Sequence, residues 1–80
     1  MENEKNFRTT EWPLAISLIS LGFPVIEIDH TEPSRKVFIF EKNQRLHGII
    51  ESFWNDTLMV PANKFYSSMR MLKARLQHDE

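Results

Sequence analysis

Cysteine is absent from this chain, which excludes disulfide staples and thiolate metal sites and fits a reducing, cytoplasmic setting. Glycine is scarce: Gly22 and Gly48 stand far apart, so no glycine-rich loop can cradle a phosphate. Long apolar runs are missing too. The longest, from Pro13 to Ile28, is interrupted by Ser17, Ser20, Gly22, Pro24 and Glu27, which rules out a membrane span by that segment. The opening residues, Met-Glu-Asn-Glu-Lys, are acidic and polar, so no signal peptide is expected. Low-complexity tracts and internal repeats do not occur.

Side chains able to do chemistry are as thinly spread. His30, His47 and His78 fall on different predicted elements, and none has a partner at the spacing of a metal pair. His47 has Glu51 four residues on, an ordinary helix-surface pair. Glu27, Asp29 and Glu32 cluster around a turn, where solvated carboxylates are the rule and a pocket for acid–base work is not. Ser17 and Ser20 sit in a helical pattern with no adjacent base to activate them. The reading is therefore of a protein that is not an enzyme and uses no cofactor or metal.

What the chain does contain is a change of hydrophobic period. Val37-Phe38-Ile39-Phe40 is a continuous β-branched and aromatic run, as a central strand requires. Leu46, Ile49, Ile50, Phe53 and Trp54 then recur at helical spacing, with Asn43 placed to cap the helix. Upstream, Val25–Asp29 reads as a strand, and the turn 30–35, punctuated by Pro33, returns the chain into 36–40 as an antiparallel hairpin. Phe7-Arg8-Thr9 is expected as a short third strand. Ahead of the hairpin, Thr10 is the expected cap of a helix over 11–21, stopped by Gly22 and Pro24. Behind it, Pro61 opens a third helix over 62–77 whose core stripe is Ala62, Phe65, Met69, Leu72 and Leu76, with Tyr66 at its border.

Together these elements make one α+β domain over residues 1–80: a small antiparallel sheet, hairpin 25–29/36–40 plus the short strand, packed against three α-helices at about 11–21, 44–54 and 62–77. Residues 1–6 and 78–80 are expected to be frayed tails. A helical bundle with an inserted hairpin is the alternative architecture. The expected core is Ile16, Ile19, Ile28, Phe38, Phe40, Leu46, Ile50, Phe53, Phe65, Met69 and Leu72. The first helix is apolar on two sides. Trp12, Ala15, Ile16 and Ile19 form one stripe, Leu14, Leu18 and Leu21 the other, with Ser17 and Ser20 as the polar wedge. Such a helix must be covered nearly all round, by the rest of the chain or by a second copy. A core of this size contributes only about 3–5 kcal/mol net, so self-association would be a useful supplement.

The order and spacing of Phe7-x-Thr9-Thr10, Leu21-Gly22-Phe23 leading to Asp29, the proline-containing turn, Val37–Glu41, the Phe53-Trp54-Asn55 stretch and the closing Phe65…Leu72-Lys73…Arg75 helix resemble a small uncharacterised family of bacteria and their phages, a domain of unknown function. The resemblance covers residues 7–76. It implies this fold and a phage or mobile-element setting, and it carries over no catalytic residues.

Two functional expectations follow. The first is a non-catalytic interaction module that binds a protein partner, either a host factor or a second copy of itself. It is motivated by the excess apolar surface of Leu14, Leu18 and Leu21, by Met71 in the polar face of the third helix, and by Gly48 on the outward face of the second. The alternative is a nucleic-acid-binding accessory domain. Charge is divided along the chain: residues 1–32 carry two bases against six acids, and residues 33–78 carry eight bases against three acids. Arg35, Lys36, Arg45, Lys64, Arg70, Lys73 and Arg75 would form the contact surface, with Tyr66 or Trp54 for stacking. No nucleic-acid-binding motif accompanies them, and the overall charge is −1. No membrane role is expected.

Overall fold

A computed structural model describes residues 5–32 and 34–78. Its elements run β1 (Asn6–Thr9), α1 (Trp12–Ser20), β2 (Val25–Glu32), β3 (Arg35–Glu41), α2 (Gln44–Trp54) and α3 (Ala62–His78). The sheet is antiparallel with strand order β1-β3-β2. β3 is central, as its uninterrupted apolar run requires. The protein is thus a small α+β domain, not a helical bundle with an inserted hairpin.

Strand alternation decides which side chains enter the core. Phe7 and Val25 both register with Phe40, and Ile28 registers with Phe38. Phe38 and Phe40 are completely buried. Trp12 of α1 meets Phe38 edge to face at 5.1 Å, which seats α1 on the sheet. Ile39 points the other way, between its register partners Arg8 and Glu27, yet it is 3 % exposed. The Arg8–Asp29 ion pair (3.3 Å) joins β1 to β2 and so crosses β3 on that outer face. The hairpin is longer than the sequence pattern suggested. Residues 30–32 and Arg35 are strand, not turn, and Pro33 lies outside the described residues. The register shifts between Val25 and Glu27 and between Asp29 and Glu32.

Helix α1 is the hub. Leu14, Ala15 and Leu18 have no exposed surface and Ile16 has 4 %, so both of its apolar stripes are covered within one chain. Its serine wedge is turned towards α3: the Ser20 hydroxyl donates to the Ile16 carbonyl (2.8 Å) and meets the Ser68 hydroxyl at 3.0 Å. Small residues there let the two helices approach while their polar atoms remain paired. The end of α1 follows its sequence: Gly22 takes φ +100°, and Phe23 N and Gly22 N donate to the carbonyls of Leu18 and Ile19 (2.9 and 3.1 Å), closing a Schellman turn. Its start does not. Glu11, not Thr10, is the N-cap, without a side-chain cap bond, and the Thr9 hydroxyl accepts from Glu11 N instead.

Asn43 caps α2 as its sequence implies, accepting from Leu46 N at 2.8 Å. The amino-terminal strand starts at Asn6, and Lys42 N donates to the Lys5 carbonyl, so residues 5 and 6 are tied to the sheet rather than frayed. The remainder of the expected tails, 1–4 and 79–80, lies outside the described residues, and His78 closes α3. The core itself is shifted from expectation. Leu14, Ala15, Leu18, Phe23, Val25 and Ile39 are buried, whereas Ile19, Ile50, Phe53, Phe65 and Met69 are only partly covered at its edge.

Candidate interaction surface

The expected site residues separate into three groups. Leu14 and Leu18 lie in the interior and Leu21 is half-buried, so the second stripe of α1 is core and presents no docking face. The physical reason is that α3 and the sheet clasp α1 from different sides, which periodicity along one helix cannot reveal. Gly48 and Met71 are exposed, Met71 by 54 %. A Cβ built on Gly48 meets nothing within 4 Å, so no neighbouring atom of the chain requires glycine there.

The cationic set is divided in the same way. Arg45 donates to the Leu21 carbonyl at 3.0 Å, and its guanidinium lies 4.6 Å over the Phe23 ring. Arg75 donates to the Val25 carbonyl at 3.0 Å. These two arginines brace the connection between α1 and β2 and are committed to the fold. Lys36 is half-buried and Arg35 lies at the hairpin end. Lys64, Arg70 and Lys73 remain as exposed cations along α3. Arg70 stands 5.8 Å from the ring of Tyr66, itself 56 % exposed.

The sequence reading missed the most conspicuous surface. The end of α2, the connection to α3 and the first turns of α3 enclose a groove of about 530 Å³ lined by Phe53, Trp54, Leu58, Val60 and Phe65, with Pro13 and Ser17 of α1 beside them and Asp56 at its polar side. Trp54 is 61 % exposed; α2 ends there, and its indole packs edge to face on Phe53 at 4.9 Å instead of entering the core. Met59 is 84 % exposed. The connection itself is built by the sequence. Asp56 N and Thr57 N donate to the carbonyls of Phe53 and Ser52 (3.1 and 2.9 Å), ending α2 with a second Schellman turn. Asp56 occupies its left-handed position, at φ +65°. Pro61 then begins the next helix, and Thr57–Val60 spans the gap. The available signal was Leu58-Met59-Val60 itself: three apolar residues in a connection too short to bury all of them.

Among the described residues no group of three His, Cys, Asp or Glu could hold a metal ion. Hydrogen bonds from the Thr31 hydroxyl and from Thr31 N (2.9 Å), aided by Arg8, hold the Asp29 carboxyl below its usual value. That arrangement lies at the register shift of β2 between Asp29 and Glu32 and offers no proton at neutral pH. Among the described residues no helix is long and apolar enough to cross a membrane.

Residues 4–78 match a family described as a domain of unknown function (DUF5659). No curated protein and no solved structure matches the chain.

Proposed function

This chain belongs to the DUF5659 family, a domain of unknown function, and we propose from its surface that it is a non-catalytic protein-interaction module of the cytoplasm. The observation that carries this reading is the groove at the α2–α3 connection. Trp54, which lines it, and Met59, between the lining residues Leu58 and Val60, are 61 % and 84 % exposed, more than any other large apolar side chain among the described residues. Tryptophan is enriched among the anchors of protein–protein contacts, where it fills a depression on the partner surface. A phage or mobile-element setting, and with it a host partner, rests on the family resemblance alone.

Capture by immobilised wild-type chain and by Trp54→Ser, compared side by side from the same lysate, tests the reading. Trp54 is mostly solvated, so the variant should keep its circular dichroism spectrum. A protein retained by the wild type and lost from Trp54→Ser supports the module; identical captured sets from both would defeat it.

A second reading is favoured by one observation. Arg70 stacked towards the exposed ring of Tyr66, with Lys73 nearby on α3, is the kind of cation-and-aromatic pair that binds single-stranded nucleic acid. It is the weaker case, because Arg45 and Arg75 already serve backbone carbonyls.

A further inference from the structure

We propose that the partner of this surface is a second copy of the chain, the two copies pairing their Leu58–Val60 segments antiparallel about a two-fold axis at Met59. The inference rests on the interaction-module reading and names its partner.

The segment joins α2 to α3 outside any helix or strand and has no backbone neighbour. Among the described residues, the backbone amides and carbonyls of Leu58, Met59 and Val60 neither donate nor accept a hydrogen bond. A row of unpaired backbone groups is a template for another extended chain. An antiparallel copy of itself satisfies it on both sides at once, since in a two-fold contact each residue meets the one that meets it. Leu58-Met59-Val60 carries no charge to oppose the approach, and the adjoining groove would be closed by the same contact.

Charge supports this occupant. Asp56 is locally the wrong residue: it holds the left-handed position that glycine ordinarily takes, and it puts a carboxylate at the negative end of α2. Among the described residues it makes no ion pair, and neither does Lys64. With Met59 opposite Met59, the residue three places before it, Asp56, falls opposite the residue three places after it, Ala62, the first of α3. The first turn of α3 contains no acid. Asp56 of each copy therefore approaches the positive end of the other copy's α3 and its Lys64. A standard interface needs about 800 Å² from each partner. The chain has 5626 Å² of surface and a broad face of 40 × 33 Å, which leaves room for it.

Sedimentation equilibrium from about 1 to 100 µM, the range in which modest interfaces dissociate, tests the proposal. A monomer–dimer equilibrium is expected. A wild type that stays monomeric throughout overturns the dimer, and the Trp54→Ser capture comparison still judges the module reading separately. Met59→Glu should be a monomer of unchanged circular dichroism, because its side chain is solvated in the single chain. Asp56→Lys and Lys64→Glu should each weaken the dimer about two- to five-fold, and the double variant should recover it; losses that accumulate in the double variant overturn the register. Hydrogen exchange supplies a readout of the backbone pairing. Either the Met59 amide or those of Leu58 and Val60, which face opposite edges, should gain protection as protein concentration rises, and a dimer that leaves all three unprotected refutes strand pairing.

Discussion

Replacing Leu18 by alanine probes the packing of α1 most directly. Leu18 has no exposed surface and belongs to the stripe of α1 that sequence alone assigned equally well to a partner. Leu→Ala at fully enclosed sites costs about 2.7–5 kcal/mol, the larger values belonging to cavities whose walls cannot collapse. Here the walls are held: the sheet is fixed through Trp12 on Phe38, α3 through the Ser20–Ser68 contact, and the following turn by the bond from Phe23 N to the Leu18 carbonyl itself. A loss of about 3 kcal/mol is expected. At about 4–8 °C per kcal/mol for a domain of this size, the thermal midpoint should fall by about 12–24 °C. Urea unfolding followed by tryptophan fluorescence and circular dichroism measures it, with Phe53→Ala as the internal comparison. Phe53 is only half-buried at the groove and should cost less, about 1–2 kcal/mol. A Leu18→Ala loss below about 1 kcal/mol, or a Phe53→Ala loss exceeding it, would refute the placement of α1 as the enclosed hub.

Three further outcomes can be checked with the same protein. Asn43→Ala should lower stability by about 1 kcal/mol through loss of the α2 cap bond to Leu46 N, and an unchanged urea midpoint would show that the cap is dispensable. Asp29 has a folded-state pKa below the ordinary value near 3.8, so its contribution is complete above that value and is lost as pH falls through the lowered one. The decline in stability below about pH 4 should therefore be shallower in Asp29→Asn than in the wild type, and parallel curves would contradict a stabilising role for the Asp29–Thr31 bonds. Arg70→Glu with Lys73→Glu should leave the thermal midpoint nearly unchanged, because both side chains are solvated. If the nucleic-acid reading holds, the pair should abolish a salt-sensitive shift of labelled single-stranded DNA, and the absence of any shift by the wild type at low salt removes that reading.

The local elements were legible because each is written in neighbouring residues. Asn43 before a helical apolar period sets the start of α2, and Gly22 followed by Pro24 sets the end of α1. The uncharged run Val37–Phe40 marks the central strand. The start of α1 slipped: Thr10 suits a cap, yet the first helical bond runs from Ala15 N to the Glu11 carbonyl, with Glu11 N held by the Thr9 hydroxyl. The length of the hairpin also escaped, because the polar residues at 30–32 ahead of Pro33 resemble a turn until their place beside β3 is known.

Tertiary structure alone decided which apolar residues are interior and which are surface. Periodicity states that Leu14 and Leu18 share a face and that Phe53 and Trp54 follow Leu46, but not which faces find a neighbour. Leu14 and Leu18 are buried because α3 and the sheet reach α1 from separate directions. Trp54 is left outside because α2 ends there with no further element above it. Likewise Arg45 and Arg75 look like surface cations in the sequence and become braces only when folding brings the carbonyls of Leu21 and Val25 within 3.0 Å. Burial and charge pairing depend on contacts between residues far apart in the chain, and those distances are set by how the helices and sheet pack, not by the period within any one of them.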